Sequence, residues 1–367
     1  MNRKKKSFHK SPFFLSKIKR KKTCIKSEPQ FYLPDECWEH VFKFIINGDD
    51  GETEKVKFII NGDDGETEKK HRVLFKSLSL VSKQFLSITD RLIFSISISD
   101  HPSHLLPRVF HRFPNLNSLH LCFGLRHLDS TIALALRDRT TLKSLSISNI
   151  ELKDANCDTS HYIDSFVSLK GLNILKFCYS HISDDLLYSI AREALPLKTF
   201  VLNNCSGYSY DGIYSLLSKC QGIQHLDLRQ AGIQHLEHQA DFLKNHHIAL
   251  ISLFLGGLVS IKLSYCFNLT KSALFALVRN CHSLAEITME RSGIGRQRVE
   301  SSNSLKDFEV YPQLKFLCLA HNSFIKNNDI ILFASIFPNL QYLDLSHCYS
   351  ITEKSICQIL KKVFVKF

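Results

Sequence analysis

LQYLDLSHC, residues 340–348, places leucines at its first, fourth and sixth positions with polar or aromatic residues between them. In an extended chain alternate residues face opposite sides, so Leu343 and Leu345 share one face while Tyr342, Asp344 and Ser346 share the other. The same L-x-x-L-x-L pattern, with Ile, Phe or Met allowed at the apolar places, begins at Ile93, Leu116, Leu142, Leu172, Leu197, Ile223, Leu258, Leu284, Leu314 and Leu340. Successive starts lie 23 to 35 residues apart. Self-similarity at such a period is the mark of a stacked repeat. LKTFVLNNC, LVSIKLSYC and LKFLCLAHN end like the quoted stretch on Cys or Asn, at Cys205, Cys266 and Asn322, a small buried residue where the chain leaves a strand.

Between the motifs the sequence turns helical. TKSALFALVRNC, residues 270–281, puts Leu274, Leu277 and Val278 on one face. The residue three places before a motif is usually apolar: Phe113, Leu169, Ala194, Cys220, Leu255, Cys281, Tyr311 and Phe337. It is expected to close the helix against the core. One strand-plus-helix unit cannot bury its own apolar face, whereas stacked units share a core. Residues 93–367 therefore read as an α/β fold, a curved solenoid of about ten strand–helix repeats, with a spacing centred on the upper part of the leucine-rich-repeat range of about 20 to 29 residues.

The repeat also accounts for the cysteines. Cys205 and Cys220, like Cys266 and Cys281, recur as turn and helix-end positions of their repeats, so a structural role is preferred to metal ligation. Twelve cysteines without a CxxC pair or a secretory signal point to a reducing compartment, with neither a zinc site nor a disulfide framework. There is no run of 18 apolar residues, and no membrane span is expected. The net charge of +12 lies almost wholly in residues 1–27, which carry eleven Lys or Arg and no acid. This basic tail, residues 1–30, reads as a solvated disordered arm, with a nuclear address or a transit peptide as alternatives. The body that remains is near neutral, which argues against nucleic acid as a partner; cytoplasmic or nuclear residence is expected.

Residues 31–92 form a separate helical module. FYLPDECWEHVFKFI carries Leu33, Trp38, Val41, Phe42 and Ile45 at helical spacing behind Pro34. LFKSLSLVSKQFLSITDRLIF carries Leu74, Leu78, Val81, Phe85, Ile88 and Leu92 likewise. Two short amphipathic helices without a large partner in the chain need another surface to cover, and they read as an adaptor-binding module.

Leu33-Pro34, then Val41, Phe42 and Ile45, then Leu80-Val81-Ser82-Lys83-Gln84-Phe85 resemble the F-box, with Phe85 where Trp is common and a longer link between the half-motifs. With the repeats that follow, residues 31–367 resemble F-box/leucine-rich-repeat proteins of the plant type, whose repeats are ribonuclease-inhibitor-like. The resemblance implies a substrate-recognition subunit of a cullin-RING ubiquitin ligase. Its F-box would bind an Skp-type adaptor, and through it cullin, by Leu33, Pro34, Trp38, Val41, Phe42, Ile45, Leu80, Val81, Lys83 and Phe85. Its repeats would hold a target protein. The alternative is a repeat scaffold that works without a ligase.

Inside the module KFIINGDDGETEK appears twice, at 43–55 and 57–69. The acidic stretch fails as an EF-hand loop, because counting from Asn47 puts Gly51, Glu52 and Phe58 where a ligand, the turn glycine and the bidentate Glu belong. The first copy reads as the end of the first helix plus a loop. The second reads as an insertion tolerated at a loop, since lengthening a loop costs little closure entropy, with Phe58-Ile59-Ile60 left to find cover. At the other end KKVFVKF leaves Val363, Phe364 and Phe367 where a solenoid needs a polar cap.

Catalytic motifs are missing. His235, His238, His246 and His247 fit neither metalloprotease pattern, Gly293-Ile-Gly295 lacks the third glycine of a dinucleotide loop, and there is no P-loop or nucleophile elbow. Neither an enzyme nor a cofactor is expected. Target recognition is assigned to the polar strand face of the later repeats, where Asp227, Arg229, Lys262, Glu286, Glu290, Phe316, Tyr342 and Asp344 concentrate charge and aromatic surface; Phe316 and Tyr342 are the expected anchors. The earlier repeats offer the blander Ser118, His120, Ser144, Ser146 and Ser148.

Overall fold

The computed structural model describes residues 33–47, 57–60, 66–99, 105–126, 130–137, 139–150, 160–229, 243–296, 309–352 and 364–366. The basic tail, most of both acidic loops, His235 and His238 lie outside the described residues. The described strands form one parallel sheet in chain order. They are β1 (Lys57–Ile60), β2 (Ser95–Ser99), β3 (Ser118–Arg126), β4 (Ser144–Ile150), β5 (Ile174–Cys178), β6 (Thr199–Asn203), β7 (His225–Asp227), β8 (Ser260–Lys262), β9 (Glu286–Thr288), β10 (Phe316–Cys318), β11 (Tyr342–Asp344) and β12 (Phe364–Lys366). From β2 to β11 every strand begins two residues after its motif, so all ten motif positions become strands.

Helices α1 (Asp35–Asn47), α2 (Glu66–Ser79) and α3 (Lys83–Arg91) come first. The crossovers carry α4 (Leu106–Arg112), α5 (Ser130–Leu136), α6 (Ser160–Val167), α7 (Asp184–Glu193), α8 (Tyr210–Lys219), α9 (Asn245–Ser252), α10 (Lys271–Asn280) and α11 (Asn327–Ile336). Strands stack about 4.8 Å apart while packed helices need about 8–10 Å. Joining the two layers repeat by repeat therefore bends the solenoid with the sheet on its inner side.

Register keeps equivalent residues in columns. Leu226, Ile261, Ile287, Leu317 and Leu343 are paired from strand to strand and all are buried. Serine and threonine caps set helix starts: the side chains of Ser183, Ser209 and Thr270 accept N–H groups from the first turns of α7, α8 and α10. Helix-end residues close the core as the sequence implied, with Cys220 and Cys281 buried. Ala194 is the exception. It takes the left-handed C-cap of α7 at φ 46° and is exposed, while Leu195 fills the core beside it. Cys205, Cys266, Asn322 and Cys348 are buried where each chain leaves its strand. The Asn322 amide there donates to the carbonyls of Met289 and Leu319.

The ends of the sheet differ from the sequence reading. The second copy of the doubled stretch is no loop: its Lys57–Ile60 is β1, paired with β2 so that Phe58 is level with Ile96 and Ile60 with Ile98. Its Glu66–Lys69 opens α2. The sheet thus starts inside residues 31–92, and Phe42, Phe75 and Ile88 belong to the same core cluster as the repeats. LFKSLSLVSKQFLSITDRLIF is also two helices rather than one, because the Ser82 side chain accepts the Phe85 N–H and starts α3 afresh. At the other end KKVFVKF contributes β12, level with β11.

Candidate functional site

The helical module is assembled by two clamps. In the aromatic one Trp38, Phe42 and Phe85 meet with ring centroids 4.7, 4.9 and 6.2 Å apart. In the polar one the Gln84 amide donates to Asp35 at 2.8 Å, while the Arg91 guanidinium donates to Asp35 at 2.8 Å and to Glu39 at 3.0 Å. The bonds from Gln84 and Arg91 hold the Asp35 carboxyl below its ordinary pKa. Together they fix α1 across α3.

This packing divides the residues assigned to the adaptor contact. Phe42 is 1% exposed. It is a core residue and cannot touch a partner, which corrects its assignment as a contact. Trp38 and Phe85 are half-buried against it. Leu33, Pro34 and Lys83 are exposed, as are Val41 and Ile45 on α1. Leu80 and Val81, in the break between α2 and α3, are more exposed than Leu33, Val41 and Ile45, at 76% and 65%. The sequence reading placed Val41, Phe42 and Ile45 on one face, but the buried stripe of α1 is Trp38, Phe42 and Ile46. Phe44, Val73 and Leu86 are further exposed apolar residues of these helices that the reading missed; a large apolar residue outside the buried stripe was the signal for Phe44.

The inner sheet face carries the residues assigned to target binding. Phe316 and Tyr342 are register partners whose rings stack with centroids 4.5 Å apart and planes 2° from parallel. Glu286 stands level with Phe316 on the next strand and is exposed, as is Lys262. Glu290 accepts the Cys318 thiol at 3.2 Å. Two assignments need correction. Asp227 and Asp344 are 8% and 6% exposed and serve the fold. Asp227 accepts the Arg229 backbone N–H and both of its oxygens take the guanidinium at 3.0 Å. Asp344 accepts the Ser346 N–H at 2.9 Å and the Tyr342 hydroxyl at 3.3 Å. Arg229 is thereby tied in an ion pair that raises its pKa, rather than standing free as a cationic contact. The earlier strands line the same face with Ser118, His120, Ser144, Ser146 and Ser148.

Three other motifs find structural explanations. Gly293 and Gly295 sit where neighbouring repeats touch: a Cβ on Gly293 would lie 2.5 Å from the Phe267 carbonyl oxygen, and one on Gly295, at φ 86°, 2.3 Å from the Phe324 backbone. His247 stacks on Tyr210 with centroids 3.8 Å apart. Burial pushes the thiols of Cys205 and Cys281 up to about 12 and that of Cys220 up to about 11.

No family model matches the chain. Among solved structures it is similar to that of the Rad7 and Elc1 complex in yeast, with 14% identity over 88% of this chain and 90% of that one and a TM-score of 0.48. An internalin (inlF) from Listeria monocytogenes is similar at 15% identity over 78% and 83%, with a TM-score of 0.42. At these scores the likenesses carry no functional argument. The sheet itself, with its parallel strand–helix repeats on an L-x-x-L-x-L pattern, defines a leucine-rich-repeat solenoid with an α-helical N-terminal module. No helix of the described residues is long and apolar enough to cross a membrane.

Proposed function

We propose that the chain is the substrate-recognition subunit of a cullin-RING ubiquitin ligase, docking an Skp-type adaptor with α1–α3 and presenting a target protein from the repeats. The observation that carries this reading is the separation within α1–α3. Phe42, Trp38 and Phe85 hold the helices together, while Leu80 and Val81, at positions matching the F-box pattern, stand in solvent at 76% and 65% exposure. Leaving apolar side chains wet forgoes roughly 1.5–3 kcal/mol each, and clustered exposed apolar residues mark interaction surfaces. The chain supplies proximity, not chemistry, to the transfer of ubiquitin.

The test is co-purification from cell extract of adaptor and cullin with the full chain and with Leu80→Asp/Val81→Asp. Both positions are exposed, so the variant keeps its fold. Adaptor and cullin should leave together in the variant. Their retention at wild-type level, with the variant shown to be folded, would remove α1–α3 as the docking surface and favour a scaffold without a ligase.

A further inference from the structure

In six of the motifs the residue at the eighth place, Tyr179, Asn204, Tyr265, Arg291, His321 or His347, adopts a left-handed backbone with φ between 47° and 66°. Such angles are uncommon for residues other than glycine. In the first five the N–H is claimed by a backbone carbonyl of the next repeat: Tyr265 donates to that of Glu290, Arg291 to that of Ala320 and His321 to that of Ser346 at 2.8, 3.1 and 2.7 Å. This column lies just past the strand ends, at the rim of the sheet.

Over the last repeats the rim becomes cationic and aromatic. The rings of His321 and His347 stack 4.2 Å apart, His347 Nδ1 lies 3.0 Å from the Tyr349 hydroxyl, and the Arg296 guanidinium covers the Phe324 ring at 4.9 Å. Arg291, Arg296, His321, His347, Phe324 and Tyr349 line a cavity of about 270 Å³, and among the described residues its walls hold no carboxylate. Its floor is rigid, because Asn322 accepts both the N–H and the hydroxyl of Ser292 and donates to two carbonyls. Gly293 and Gly295 let the neighbouring loops close against it. Tyr349 is 80% exposed, so the mouth is open.

We infer that this rim cavity binds a phosphomonoester group carried on a partner peptide, with Arg291 and Arg296 on the phosphate and the flanking rings on the apolar body next to it. A phosphomonoester carries about −1.5 to −2 charges and three strong acceptor oxygens, and guanidinium forks match that geometry. Partial burial lowers the His321 pKa, and the nearby His347 and Arg291 add to that effect while the carboxylates of Glu290 and Asp344 oppose it. A nucleic acid fits less well. The cationic stretch spans only the last repeats, and the adjoining inner face presents Glu286 and Glu290, so a chain of phosphates would run onto like charge. The site goes beyond the proposed adaptor docking and stands independently of it.

Calorimetric titration of the full chain with phenyl phosphate, inorganic phosphate, phenol and a single-stranded oligothymidylate tests the inference. Phenyl phosphate should bind at least tenfold more tightly than inorganic phosphate, and phenol should give no binding heat. Arg291→Gln/Arg296→Gln should weaken phenyl phosphate at least tenfold with unchanged melting temperature, both residues being exposed. His347→Gln should weaken it less. Equal binding of phenyl and inorganic phosphate would reduce the site to one for a free anion. Tighter binding of the oligonucleotide, or undiminished binding by the double variant, would overturn the proposal.

Discussion

The same four residues, KFII, end a helix at Lys43–Ile46 and form a sheet strand at Lys57–Ile60. In the first copy the helix is already nucleated by Asp35–Phe42, and Ile46 extends the buried stripe of Trp38 and Phe42. Adding a turn to an existing helix costs far less than starting one. In the second copy the four residues follow a Gly/Asp-rich stretch and meet the open edge of β2, which can pair with any extended segment. Adjacent β-branched isoleucines suit that role. Local propensity is a weak prior in both places, and the neighbouring surface decides.

The largest test of this comparison deletes residues 57–70. A single copy would remain, fused directly to the rest of α2, and it could end α1 or pair with β2 but not both. Loss of cooperative unfolding at the N-terminal end is expected, seen as fast hydrogen exchange of Ser95–Ser99 or of the end of α1. A variant with wild-type protection at both places would show that β1 contributes nothing.

Within the first copy the two faces of α1 should separate. Phe42→Ala removes a buried ring and should cost about 3–5 kcal/mol, whereas Phe44→Ala, at a position 63% exposed, should stay within about 0.5 kcal/mol. Denaturant titration reads both.

A finer test sets equivalent phenylalanines against each other. Phe58 is level with Ile96, in the column that runs on through Leu119 and Leu145, all three of them buried. Phe58→Ser should therefore cost about 1.5–3 kcal/mol and Phe44→Ser close to nothing. Equal effects would mean that the two copies sit in equivalent surroundings.

These contrasts also show where the sequence was readable. The strands from β2 to β11 were legible because three apolar residues at fixed spacing state both the strand and its inward face. β1 and β12 were not, since register puts Lys55 and Lys362 at the first apolar place and leaves K-x-x-F-x-I and K-x-x-V-x-F. Val41, Phe42, Ile45 and Ile46 are all apolar, so helical spacing could not tell the core face of α1 from its exposed face. Strand alternation put Asp227 and Asp344 on the inner sheet face, but not the backbone N–H groups that each carboxylate turns to accept. The cationic rim gave no signal because left-handed residues other than glycine are invisible in sequence.

The central claim is that α1–α3 keeps Trp38, Phe42 and Phe85 for its own packing and offers Leu80 and Val81 to an adaptor. Titrating a purified Skp-type adaptor into the full chain tests it most directly. Wild type should bind, Phe44→Ala should weaken binding slightly if at all, and Leu80→Asp/Val81→Asp should lose about 100-fold or more, since central apolar contacts are worth about 2 kcal/mol or more and each 1.4 kcal/mol is about tenfold. Binding of the folded double variant with wild-type affinity, or no binding by the wild type, would contradict the claim.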